Sequence, residues 1–185
     1  MKKESKNIQY KQRNILVWNE VAPYYHKRWA REEVGPFNVT NKVIKLSKIK
    51  NGDCVLDLAC GTGLVTKKIV RKVGKNGMIY AIDTSKTAIN IAKKWVGMKE
   101  NIRFIIGDAE TIQFNTKFDA ITCQYALFFF PNTQKVLKNL NLQTTQQYQS
   151  QVPFYLISIL EKSGFSKIVS IKTFKLFFSS SDIFE

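Results

Sequence analysis

Apolar positions along this chain switch between two periods, and the switches divide it into segments. Val55, Leu56 and Leu58 form a short β-favouring run that reads as a buried strand. The run breaks at Gly61 and Gly63, and Leu64, Val65, Ile69 and Val70 then return at helical spacing among Lys67, Lys68, Arg71 and Lys72, which predicts an amphipathic helix. The alternation repeats downstream. Residues 78–82 predict a second strand ending at Asp83, residues 86–96 a helix, residues 102–106 a third strand and residues 118–123 a fourth. Strands alternating with helices of this length define an α/β chain with a mostly parallel sheet.

The flanks are patterned differently. Residues 1–14 are polar and are expected to fray. Over 15–29, Ile15, Trp18, Val21, Ala22, Tyr25 and Trp29 recur at three- and four-residue steps around Pro23, which predicts two short helical pieces. Residues 39–49 predict another amphipathic helix, followed by a turn over 50–53. After the fourth strand, Val136, Leu137 and Leu140 give the apolar face of a helix over 134–142. A glutamine-rich stretch without strand pattern follows over 143–151, then a helix over 154–164 and an alternating strand over 167–178.

Composition narrows the classes. A chain of 185 residues with 44% hydrophobic and 12% aromatic residues is too apolar for disorder and suits one domain. No apolar run approaches the roughly 20 residues needed to span a bilayer, and the start is polar, so a cytoplasmic location is expected. Cys54, Cys60 and Cys123 have no metal-ligand or redox spacing, and His26 is the only histidine that could join them, so free thiols and no metal are expected. The formal charge of +15 could attract RNA or an anionic membrane. Its lysines are scattered where helices would face water, which favours a solvated surface.

Strand, glycine loop and helix form a nucleotide-binding layout. Glycines let the backbone approach a ligand, and the helix start offers unpaired N–H groups. Asp83 lies twenty residues beyond Gly63, the distance at which a second-strand acid accepts hydrogen bonds from ribose hydroxyls, while Thr84 and Ser85 are also helix-cap candidates. The dinucleotide fingerprint wants a third glycine where this chain has Thr66. An acid at Asp57 suits a ligand carrying an ammonium and a sulfonium better than a pyrophosphate.

Asp57, Ala59, Gly61 and Gly63 resemble motif I of the class I S-adenosylmethionine (SAM) dependent methyltransferases, Asp-x-Ala/Gly-x-Gly-x-Gly. The resemblance implies a Rossmann-like, doubly wound sheet, SAM as cofactor, and Asp57, Ala59, Gly61, Thr62, Gly63, Asp83, Thr84, Asp108, Ala109 and Gln124 as its binding residues. Within that set Asp108 would hold the adenine amino group and the Ala109 N–H a ring nitrogen. The phrase from Trp18 to Tyr25 resembles the entry helices of small-molecule methyltransferases related to the ubiquinone/menaquinone biosynthesis enzymes. It implies a helical lid over 15–50, with Tyr25 and His26 as weak catalytic candidates. His26 alone has an ordinary pKa near neutrality and could deprotonate a hydroxyl acceptor.

Cys123 to Asn132 resembles the rim phrase Cys-Gln-aromatic-x-Leu-x-Phe-Phe-Pro-Asp of the same enzymes, with Asn132 in place of Asp. The Asn/Asp-Pro-Pro-Tyr/Phe tetrapeptide of many amino-directed methyltransferases is absent from this segment. The expected division is therefore a frayed 1–14 and one methyltransferase domain over 15–185, with a SAM-binding core over 51–132 and a shortened substrate half over 133–185. The family's Arg-Val-Leu-Lys-Pro-Gly-Gly and fifth buried strand are missing, and 167–178 resembles its late antiparallel strand. An unpaired edge on the fourth strand, and a dimer or partner there, are thus expected. The leading function is methyl transfer to a small molecule, the alternatives a non-catalytic SAM-binding domain needing a partner or an RNA methyltransferase.

Overall fold

The computed structural model describes residues 2–141, 148–150 and 169–170. Strands β1 (Cys54–Leu58), β2 (Met78–Asp83), β3 (Ile102–Ile106), β4 (Ala120–Cys123), β5 (Tyr148–Ser150) and β6 (Val169–Ser170) form one sheet in the order β3-β2-β1-β4-β5-β6, and every pair is parallel. The helices are α1 (Lys2–Tyr25), α2 (Thr40–Leu46), α3 (Leu64–Val73), α4 (Lys86–Val96) and α5 (Thr133–Asn141).

The period of two along β1 sorts its side chains between two layers. Val55 packs with Ile44, Val65, Ile69 and Val73 on the α2–α3 side. Leu56 and Leu58 pack with Val136, Leu137 and Leu140 of α5 on the other side. Helices thus cover both faces, and the near-continuous apolar strands follow from that two-sided burial. Each fully buried aliphatic here contributes about 1.5–3 kcal/mol.

Several expectations are corrected. The N-terminus is helical from Lys2 rather than frayed to residue 14, and 15–25 belongs to the same α1 rather than to two short pieces. Pro23 lies in the last turn of α1, where it has no N–H to give the carbonyl four residues back, and the chain beyond it widens into a π-helical turn over His26–Ala30, closed by Arg31 N–H to His26 O at 2.9 Å. The helix expected over 39–49 is a 3-10 turn, Gly35–Val39, followed by α2; the chain leaves helical geometry at Lys48, which has φ 52°.

The remaining corrections concern the sheet edge. Tyr148–Ser150, polar and without a strand pattern, pairs with Ile121–Cys123, so the edge of β4 is covered. Backbone pairing depends on N–H and C=O groups that every such residue carries, so polarity did not prevent it. Val169–Ser170 then pairs parallel to β5, not antiparallel. The intervening 151–168 is long enough for the crossover of about a dozen residues that a parallel connection needs. The helix expected over 154–164, and the rest of 167–178, lie outside the described residues. No helix among the described residues is long and apolar enough to cross a membrane.

Candidate cofactor site

The parallel strands β1, β2 and β3 end on the same side of the sheet, and a cavity of about 170 Å³ opens there. Ligand sites in open α/β sheets lie outside the carboxyl ends of the strands, at the point where the strand order reverses. Asp57, Asp83 and Asp108 all line this cavity, with Ala59, Gly61, Thr62, Thr84 and Gln124.

Asp57 is buried within β1. Thr66 Oγ1 donates to its Oδ2 at 2.6 Å and Thr122 Oγ1 to its Oδ1 at 2.8 Å. Burial raises its carboxyl to about 6; the two hydroxyls pull the other way and the charge of Asp83 adds to the rise. Asp83 is half-buried at the end of β2, where its Oδ2 accepts the Gly61 N–H and its Oδ1 the Ser85 N–H, each at 2.9 Å. Burial raises this carboxyl too, against the backbone donors of Ser85, Gly61 and Thr84. The bond to Gly61 ties the glycine loop to β2, and Gly61, at φ 54°, has open space where a Cβ would sit.

Asp108 follows β3. Its Oδ1 accepts the Glu110 N–H at 2.9 Å, and its Oδ2 takes Lys11 Nζ of α1 at 2.7 Å. The same ammonium lies 2.8 Å from Glu110 Oε2. Burial lowers the Lys11 pKa, the two carboxylates raise it, and the rise prevails.

Gln124, just past β4, is buried; its Nε2 donates to Thr40 Oγ1 at 3.0 Å, and its Oε1 has no hydrogen-bond partner. Cys60 also lines the cavity, and burial together with Asp83 and Asp57 pushes its thiol well up, so it stays protonated and inert as a nucleophile. The opposite wall is aromatic. Tyr25 meets Trp18, Trp29 and Phe37 edge to face at centroid distances of 5.3, 5.0 and 5.4 Å, and Trp18 meets Phe129 at 5.6 Å.

Three candidates stand apart from the cavity wall. Gly63 does not line it: at φ 92°, a Cβ there would meet Ala92 Cβ and Val96 Cγ2 at 2.9 Å, so its lack of a side chain serves the approach of α3 to α4. Ala109 sits in the core beneath the β3 end, its carbonyl accepting from Asn139 Nδ2 at 3.2 Å. His26 shares a 3.0 Å hydrogen bond between Nδ1 and Thr62 Oγ1, and its ring stands edge-on to Trp95 at 4.6 Å. Burial, then Arg31 and Lys67, lower its pKa, so the imidazole is neutral near pH 7. Tyr25 does line the cavity, but burial and then Tyr125 hold its phenol far above the ordinary range.

Sequence reasoning missed Lys11, Thr66, Thr122 and Glu110. Lys11 carried a signal: it continues the stripe of Ile15, Trp18, Ala22 and Tyr25 backwards by one turn. The threonines carried none, because only the fold brings them to Asp57.

The family described as a methyltransferase domain matches residues 55–144. A demethylmenaquinone methyltransferase of Lactobacillus johnsonii is 29% identical over 152 residues, 80% of this chain and 59% of that protein. A probable cobalt-precorrin-6B C(15)-methyltransferase (decarboxylating) of Saccharolobus solfataricus is 38% identical over 115 residues, 57% of this chain and 58% of that protein. Among solved structures, a SAM dependent methyltransferase from Aquifex aeolicus has a TM-score of 0.59 at 20% identity, covering 73% of this chain and 86% of that one; this likeness shows the fold. The matched stretch is thus similar to the methyltransferase domains, and its motif to the class I SAM-dependent enzymes, whose cofactor is SAM. The alignments span somewhat over half the length of the two curated relatives.

The residues present fit that cofactor. The buried carboxylate of Asp57 suits its cationic groups and the half-buried one of Asp83 its ribose hydroxyls, Gly61 leaves room for close backbone approach, and the unpartnered Gln124 oxygen awaits a donor.

Proposed function

We propose that this chain transfers a methyl group from SAM to a small-molecule acceptor. Asp57, Ala59, Gly61, Thr62, Asp83, Thr84, Asp108 and Gln124 would face the cofactor, Gly63 would hold the loop in place, and the Ala109 backbone would contribute beside Asp108. The observation that carries this reading is the meeting of Asp57, Asp83 and Asp108 with Gly61 at one cavity.

When bound, SAM supplies a methyl group on a sulfonium that is already an activated leaving group. The chain's own work is placement. Asp57 would offer negative charge to the ammonium and sulfonium, Asp83 would accept from the ribose hydroxyls, and Asp108 would accept from the adenine amino group. The wall of Trp18, Tyr25, Phe37 and Phe129 keeps water from the acceptor and holds it in line; positioning of this kind is worth about 7–11 kcal/mol in favourable systems.

No dedicated base is required in this reading: Tyr25 keeps its proton, and His26 is directed to Thr62 rather than to the cavity. A flat-ringed acceptor would suit the aromatic wall, and the Lactobacillus johnsonii relative is named for demethylmenaquinone. The three free cysteines agree with a cytoplasmic location.

Calorimetric titration of the wild type and Asp83→Ala with SAM, its demethylated product and NAD tests the reading. SAM and its product should bind the wild type and lose affinity for the variant. Equal response of both proteins to SAM removes the ribose assignment, and a preference for NAD removes the function.

A further inference from the structure

We propose that Lys11 is a latch that sets how long the cofactor stays bound, by pinning the N-terminal half of α1 across the adenine end of the cavity. The inference rests on the cofactor reading above. Lys11, Asn14, Ile15, Trp18, Ala22 and Tyr25 all line the cavity, the spacing of a single helix face. That face is anchored unevenly. Ala22 is buried, whereas from Glu4 to Val21 no side chain of α1 is. Such a segment belongs to the low-stability end of a structure, where opening is cheap.

Asn19 and Lys11 attach it to other elements through polar contacts. Asn19 Oδ1 accepts from Ser85 Oγ at 2.9 Å and from the Thr87 N–H at 3.1 Å, at the start of α4. About two turns earlier, Lys11 Nζ reaches Asp108 Oδ2 and Glu110 Oε2. Glu110 Oε1 in turn accepts the Asn132 N–H at 3.1 Å, so one ammonium joins α1 to the end of β3 and to the aromatic rim before α5.

An adenine amino group and Lys11 can share Asp108. An ionised carboxylate offers about four lone-pair sites, and the contacts from Lys11 and the Glu110 N–H leave two. The lysine is therefore no competitor of the ligand; it closes behind it. Its side chain is 25% exposed, so salt weakens the latch.

The test is the dissociation rate of SAM from the full chain, measured by stopped flow at low and high salt for the wild type, Lys11→Met and Lys11→Arg. Lys11→Met should release SAM roughly tenfold faster with the association rate changed less than about threefold, as the loss of one part-exposed ion pair and one with a buried carboxylate allows. Lys11→Arg should restore slow release, and salt should speed release from the wild type but not from Lys11→Met. Tighter binding by Lys11→Met would make Lys11 a competitor and overturn the latch. A lowered melting temperature with an unchanged release rate overturns it too, leaving a structural role only. If the wild type binds no SAM, the cofactor reading falls and the latch with it; if it binds SAM with release independent of Lys11, the latch alone falls.

Discussion

The two walls of the cavity are built on different physics. On the strand-end wall each carboxylate is held by directional bonds: Asp57 by two threonine hydroxyls, Asp83 by two backbone N–H groups, Asp108 by an N–H and an ammonium. On the opposite wall Trp18, Tyr25, Phe37 and Phe129 meet by edge-to-face contacts that fix shape and little else. A wall of directional bonds dictates which ligand sits there and how it is turned; a wall of rings admits many acceptors of similar shape. In the proposed function, this is why the strand-end wall points to a particular cofactor and the aromatic wall to no particular acceptor.

The contrast can be broken most sharply at Asp83. Asp83→Ala removes the carboxylate and leaves the Gly61 and Ser85 N–H groups without their acceptor, so SAM affinity should fall about 100-fold by calorimetry, with Asp83→Asn recovering part of it. Loss of less than about threefold would put the strand-end wall on the same footing as the aromatic one. Gly63→Val comes next: positive φ and contacts of 2.9 Å on both Ala92 and Val96 should cost about 2–3 kcal/mol in urea unfolding. An unchanged midpoint would show that α3 and α4 can part freely.

The third effect is in pH. Asp57 titrates near 6 in the fold against an ordinary value of 3.8, so between those values the folded protein holds a proton that the unfolded chain has released. Stability should therefore decline as pH rises through this window, the Asp83 shift acting in the same sense. A cationic ligand favours the ionised carboxylate, so SAM should bind about tenfold more weakly at pH 5 than at pH 7. Asp57→Asn should flatten this affinity profile, and a steep profile in that variant would assign the proton elsewhere. The smallest effect is expected at His26: because it lies off the cavity wall, His26→Ala should lower SAM affinity less than about threefold.

What the sequence could not reveal follows from where each contact comes from. β1 to β4, the glycine loop and the acids at the strand ends are local patterns, and the periodicity of 54–123 carried them. Gly63 was legible as a loop glycine but not as a packing glycine, because its neighbours Ala92 and Val96 arrive from α4. The N-terminal half of α1 has no sequence signature because the polar residues before Ile15 offer no apolar stripe; Lys11 contributes by charge to Asp108 and Glu110, far along the chain. Tyr148–Ser150 gave no strand signal at all, since its pairing uses backbone groups on which side-chain pattern is silent.

The pair of hydroxyls on Asp57 also dates the site within folding. Thr66 lies 9 residues away in sequence and Thr122 65. A chain that has joined β1 to β2 and laid α3 over them has one of the two bonds, but the other waits until β4 docks on the far side of β1. Closing that long loop is the slower event. Cofactor competence is thus a late marker of the folded state, and a protein newly diluted from denaturant should recover helix signal before it recovers a place for SAM.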